Sequence, residues 1–147
     1  MHSFMGTKIG VEIEMHLVDK KFDISNDADI FIDNSINSLL EKEVSKSMIE
    51  LVMPPYDSIS SLEKDLMTQL KDLKKEAESK ELGLLASTSI GAPKSEMTKI
   101  DSPKYDNKKM IFGDDFDISL QVCGTHIHVP RTRPIICFNG IKPFFIS

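Results

Sequence analysis

The sequence predicts an α+β domain. Two segments alternate apolar and polar residues with the period of a strand, and a third repeats leucines with the period of a helix. At 147 residues and 40% hydrophobic content the chain matches one ordinary domain, large enough to bury a core. It has no Trp and only two Tyr, so that core must be built mainly from Leu, Ile, Val, Met and Phe.

The first strand is IGVEIEMHLVD, residues 9–19. Side chains alternate across a strand, so Ile9, Val11, Ile13, Met15 and Leu17 form one apolar face, and Gly10, Glu12, Glu14 and His16 form the other. The second face either meets water or holds something positive; His16 is read there as incidental. A polar stretch follows, and Ile30, Ile36, Leu39, Leu40 and Val44 then recur at helical spacing. KSMIELVMPP reads as a second strand ended by Pro54 and Pro55, with Ile49, Leu51 and Met53 on one face and Met48, Glu50 and Val52 on the other.

The clearest helix lies in residues 60–83. Ser60 and Glu63 have capping-box spacing, Leu62, Leu66, Leu70, Leu73 and Ala77 make an apolar stripe, and Gly83 stands where a C-terminal cap belongs. LGLLAS reads as a third strand and residues 91–109 as a long loop. ISLQVCGTHIHVP reads as a fourth strand, which places His126 and His128 on one face with Val122 and Gly124. Two imidazoles side by side are half of a metal site, and Gly124 beside them leaves room for a ligand near the backbone.

Charge and cysteine content narrow the classes. A formal net charge of -5 argues against a nucleic-acid binder. Cys123 and Cys137 form neither a disulfide framework nor a C-x-x-C motif, so a reducing cytoplasm fits. The N-terminal residues lack the apolar stretch of a secretion signal, and no segment has the length of a membrane span, so a cytoplasmic protein with no membrane partner is expected. If the three strands that offer carboxylate or imidazole groups are neighbours in one sheet, their charges would repel unless a cation sat among them, and a carboxylate-rich set suits Mg²⁺ or Mn²⁺.

These stretches also carry a resemblance. KIGVEIEMHLVD, KSMIELVMPP, GLLASTSIGAP, SPKYDN and CGTHIHV stand in the order and rough spacing of the glutamate-cysteine ligase type 2 family, the bacterial carboxylate-amine ligases, from about residue 8 to residue 129. The resemblance implies a glutamine synthetase-like catalytic core, an antiparallel sheet flanked by helices. It also implies an ATP-dependent ligase that phosphorylates a carboxylate, typically the γ-carboxylate of glutamate, and lets an amine such as cysteine displace the phosphate. By position, Glu12, Glu14 and Glu50 are the expected catalytic carboxylates and metal ligands. His128 is the expected imidazole ligand, His126 joins it as a metal or phosphate contact, and Lys104 is a cofactor-binding candidate. ATP and Mg²⁺ or Mn²⁺ are the implied cofactors.

The chain departs from the family in two places. STSIGAP lacks the histidine that relatives carry in that loop, and SPKYDN has Lys104 in place of arginine, which leaves the substrate pair open. After Val129 the composition changes abruptly: Arg131 and Arg133 are the only arginines, and three prolines follow among apolar clusters. Residues 130–147 therefore read as a divergent tail, either frameshifted or a short closing strand and loop, on residues 1–129, the N-terminal part of a ligase catalytic domain. A truncated sheet would leave an exposed edge open to self-association. Two other readings compete: a non-catalytic metal-binding or partner-binding remnant of the ligase fold, and a metal-dependent hydrolase using His126 and His128.

Overall fold

The computed structural model describes residues 8–87 and 98–129. The tail beyond residue 129, with Cys137 and both arginines, lies outside the described residues. The fold is an open antiparallel sheet with helices, as the α+β pattern requires.

Strand β1, Gly10–Val18, is the spine of that sheet. On one flank it pairs antiparallel with β3, Met48–Val52, which in turn pairs with β2, Leu40–Lys42. On the other flank two short strands share β1 end to end. β5, Thr125–His128, pairs with its first half, and β4, Gly83–Leu85, with its second. β1 thus pairs with β3, β4 and β5.

The alternation in β1 and β3 sorts the two faces as expected. Val11, Met15 and Leu17 pack with Ile49, Leu51 and Met53 in the main core, against Ala28 and Phe31 of helix α1, Ala28–Asp33, and Leu62, Leu73 and Ala77 of helix α2, Ile59–Ser79. Leu66 and Leu70 of the same stripe are partly buried against it. Full burial of one such leucine is worth about 2 kcal/mol, so the stripe fixes α2 to the sheet.

Five sequence expectations are corrected. The helix read through residues 30–44 stops at Asp33 and gives way to β2, because side chains of the intervening residues take over the backbone hydrogen bonds. Asn34 Nδ2 donates to the Ile30 carbonyl, Asn37 N to Ser35 Oγ, and Leu39 N to Asn37 Oδ1. Helix α2 is capped by Ser58, whose side chain accepts from Ser61 N, rather than by Ser60. Its end falls at Lys80, Glu81 takes the left-handed φ of 62°, and Gly83 opens β4 instead of capping.

The long loop and the last strand also differ. Part of the loop forms α3, Pro103–Phe112, whose proline sits at the helix start, where its missing N–H costs nothing. Residues 113–120 form a 3₁₀ helix, so β5 is confined to four residues and Val122 precedes the strand. Phe116 and Leu120 of this segment join Tyr105 and Val44 in a second, smaller core. Leu85 packs against that core and pairs with His16, so the cover lies over the Glu-bearing face at the His16 end.

Candidate functional site

The strand register brings the acidic residues together. Glu14 lies directly opposite Glu50 across β1 and β3, and Glu12 lies opposite His126 across β1 and β5. Directly paired residues point to the same face, so all four side chains rise from one side of the sheet. The same ladder pairs Gly10 with His128 one step further along.

Side-chain distances confirm the cluster. His126 Nδ1 lies 3.3 Å from Glu12 Oε2 and 3.8 Å from Glu50 Oε1, and its Nε2 lies 3.9 Å from Glu14 Oε1. Among the described residues His128 reaches only Glu12, with Nε2 3.1 Å from Oε2. The backbone N–H of Gly124 donates to Glu14 Oε2 at 2.6 Å. A Cβ on Gly124 would come within 2.9 Å of His126 Nε2 and 3.3 Å of Glu14 Oε2. The space expected to admit a ligand is thus filled by the site's own histidine and carboxylate.

Two sets of three donors could each hold one cation. Glu12, Glu50 and His126 form one, and Glu14, Glu43 and Glu50 the other, each with ligand atoms within 4.8 Å of one another. Glu50 belongs to both. Sequence reasoning named Glu12, Glu14, Glu50 and His126 but missed Glu43, which follows β2 and was assigned to a helix. Once residues 40–42 are read as a strand, Glu41 faces Glu50 and Glu43, two residues on, follows the same face; that periodicity was the available signal. Lys104 lies in the first turn of α3, and its side chain is outside the described residues.

Electrostatics mark Glu50 most strongly. It is 8% exposed and makes no hydrogen bond among the described residues, its nearest partner being the His126 ring. Burial, then the charges of Glu43, Glu12 and Glu14, push its carboxyl up to about 7, against a smaller pull from His126. Glu12 goes the other way. Its partial burial disfavours the charge, but hydrogen bonds from His128 and His126 outweigh that and hold it below the usual carboxylate range.

His16, read as incidental, is fully buried under the second core. Its Nδ1 meets Ser47 Oγ at 2.9 Å, Ser47 meets Ser45 Oγ at 2.8 Å, and its Nε2 has no partner among the described residues. Burial lowers its pKa to about 4, so it is neutral at pH 7.

Beside the acidic cluster opens a cleft of about 780 Å³ between the sheet and the α3 segment. Glu14, Glu43 and His126 stand at one side, and Met48, Phe112 and Phe116 are among its apolar walls.

Among the described residues no helix is long and apolar enough to cross a membrane. A search of curated proteins returned no match. The profile of glutamate-cysteine ligase family 2 matches residues 8–130, a span that contains every strand of the sheet and every residue of the acidic cluster and ends where the composition changes. The chain belongs to the glutamate-cysteine ligase family 2.

Proposed function

We propose that the acidic face is the metal-holding floor of an ATP-dependent carboxylate-amine ligase with a glutamine synthetase-like core. The observation that carries this is Glu50. A carboxylate that is 8% exposed, flanked by three other carboxylates and without a hydrogen bond among the described residues carries its charge at a cost that a bound cation would relieve. Five oxygen-bearing or imidazole side chains in two overlapping sets fit Mg²⁺ or Mn²⁺ better than zinc, which favours nitrogen and sulfur donors.

In this reading Glu12, Glu50 and His126 hold one ion and Glu14, Glu43 and Glu50 the second, while His128 steadies Glu12. A bound divalent ion would neutralise phosphate oxygens, which is the main requirement of phosphoryl transfer. The γ-phosphoryl group of ATP passes to an oxygen of the substrate carboxylate, releasing ADP. The amine nitrogen then attacks the acyl carbon, phosphate leaves with the C–O bond pair, and the nitrogen loses a proton to give the amide. Gly124 N–H fixes the Glu14 carboxylate, and His126 holds Glu12 in place across the ladder. Glutamate and cysteine are the family's default pair. A cytoplasmic setting is part of the same proposal.

Mn²⁺ titration of the full chain by electron paramagnetic resonance tests the floor. The wild type is expected to bind Mn²⁺, and Glu50→Gln to lose binding at both positions. Equal binding by wild type and Glu50→Gln would overturn the assignment. ADP release with glutamate and either cysteine or 2-phenylethylamine as the amine then tests the chemistry separately.

A further inference from the structure

The cleft next to the acidic floor has a character that a small polar substrate does not require. Its volume of about 780 Å³ lies within the usual range of small-molecule sites. Its walls include Val44, Met48, Phe112, Phe116, Ile118 and Val122. Phe112, Ile118 and Val122 are 60%, 54% and 39% exposed, so apolar side chains line an accessible cleft rather than a packed core. Exposed apolar surface of this kind, joined to a polar site, marks a place where an apolar group docks.

The charges in the cleft select the sign of what docks. Glu14, Glu43 and Asp115 stand against a single lysine among the described lining residues, Lys108. The ammonium of Lys108 sits over the Tyr105 ring, 5.8 Å from its centroid, so that ring already accommodates an alkylammonium group. A carboxylate would be repelled by three acids, whereas a protonated amine would be drawn toward Glu14 and Glu43 with its carbon body along the apolar walls.

We propose that this cleft is the amine pocket, and that the amine it takes carries an apolar or aromatic group rather than a small polar one. The proposal rests on the ligase reading only in calling that amine a substrate. In the metal-free chain the amine binds as its ammonium, with nitrogen at the Glu14 and Glu43 side and the apolar group toward Phe112 and Val122; in turnover those carboxylates hold the second ion, and the ammonium gives one proton to solvent before its nitrogen attacks. The cleft then discriminates by hydrophobic burial, where each added methylene is worth a few-fold in affinity.

The test is calorimetric titration of the full chain, without ATP and with EDTA present, using 2-phenylethylamine, ethanolamine, 3-phenylpropionate and adenosine as probes. 2-Phenylethylamine is expected to bind at least tenfold more tightly than ethanolamine and than 3-phenylpropionate. The double variant Phe112→Ser, Val122→Ser is expected to lose at least fivefold for 2-phenylethylamine alone; both side chains are exposed and outside the two core clusters. Equal binding of ethanolamine overturns the apolar selection, preferred binding of 3-phenylpropionate overturns the charge argument, and competition by adenosine makes the cleft a base pocket instead. Absence of 2-phenylethylamine binding also overturns it. These readouts need neither metal nor turnover, so failure of Mn²⁺ binding or of ADP release would count against the ligase reading and leave the pocket standing as an amine site.

Discussion

Glu12 and His126 face each other across the β1–β5 ladder, with His126 Nδ1 3.3 Å from the Glu12 carboxylate. His128, paired with Gly10 one step along, reaches the same oxygen at 3.1 Å. The two imidazoles hold Glu12 below the usual carboxylate range despite its partial burial. The double variant His126→Gln, His128→Gln should therefore raise the Glu12 pKa, which carboxyl-carbon NMR titration in metal-free buffer would register. An unchanged titration would show that the ring contacts do not form in solution.

Gly124 packs against that same histidine. Since a Cβ there would stand 2.9 Å from His126 Nε2, Gly124→Ala must push the ring or the Glu14 carboxylate aside. Disturbing a group that orients metal ligands usually costs about 10-fold or more in affinity. Mn²⁺ binding should weaken by roughly that factor in Gly124→Ala while the thermal midpoint moves little.

His16 and Glu50 give opposite pH dependences. His16 titrates at about 4 when folded against 6.5 ordinarily, so the unfolded chain binds the extra proton first and stability falls as pH drops below about 6.5. Glu50 titrates at about 7 when folded against 4.5 ordinarily, so the folded chain binds the extra proton and stability rises as pH drops through 7. Each contribution amounts to about 2 kcal/mol between pH 7 and pH 5, and the two nearly cancel. Replacing Glu50 with Gln removes one side of the balance. Urea unfolding of metal-free Glu50→Gln should show a loss of about 2 kcal/mol on going from pH 7 to pH 5, with little change in wild type.

The cap of α2 separates two serines. Ser58 accepts from Ser61 N, whereas Ser60 lies inside the helix. Ser58→Ala should cost about 1 kcal/mol in denaturant unfolding, and Ser60→Ala should cost little or even stabilise slightly. The reverse ranking would restore the capping box at Ser60 and Glu63.

How much of this was legible beforehand depended on periodicity. The long strands and α2 carried unbroken alternation or a full stripe, and Glu12 and Glu14 could be placed on one face from spacing alone, whereas their sharing that face with Glu50 depends on the β1–β3 register. The region from Ile30 to Val44 misled because its apolar residues mimic helical spacing while Asn34, Ser35 and Asn37 redirect the backbone. Glu43 was hidden by that error. His16 looked like a member of the polar face, yet it is fully buried with its Nδ1 against Ser47 Oγ, and no local pattern announces a partner 31 positions away. The 3₁₀ helix before β5 was illegible for a similar reason: Phe116 and Leu120 are held by tertiary packing with Val44 and Tyr105.

The pairing of β1 with β5 also sets an order of events during synthesis. Glu12 and His126 are 114 positions apart, so the ribosome completes β1, β3 and α2 long before the histidine strand exists. Until then the first half of β1 has an unpaired edge beside a row of unneutralised acids, which keeps it from pairing with other chains through mutual repulsion. Closing so long a loop is slow and entropically costly, and β5 contributes only four residues to meet that cost. A cation bridging Glu12, Glu50 and His126 would thus act as a late fastener, tying the end of the folded span to its beginning.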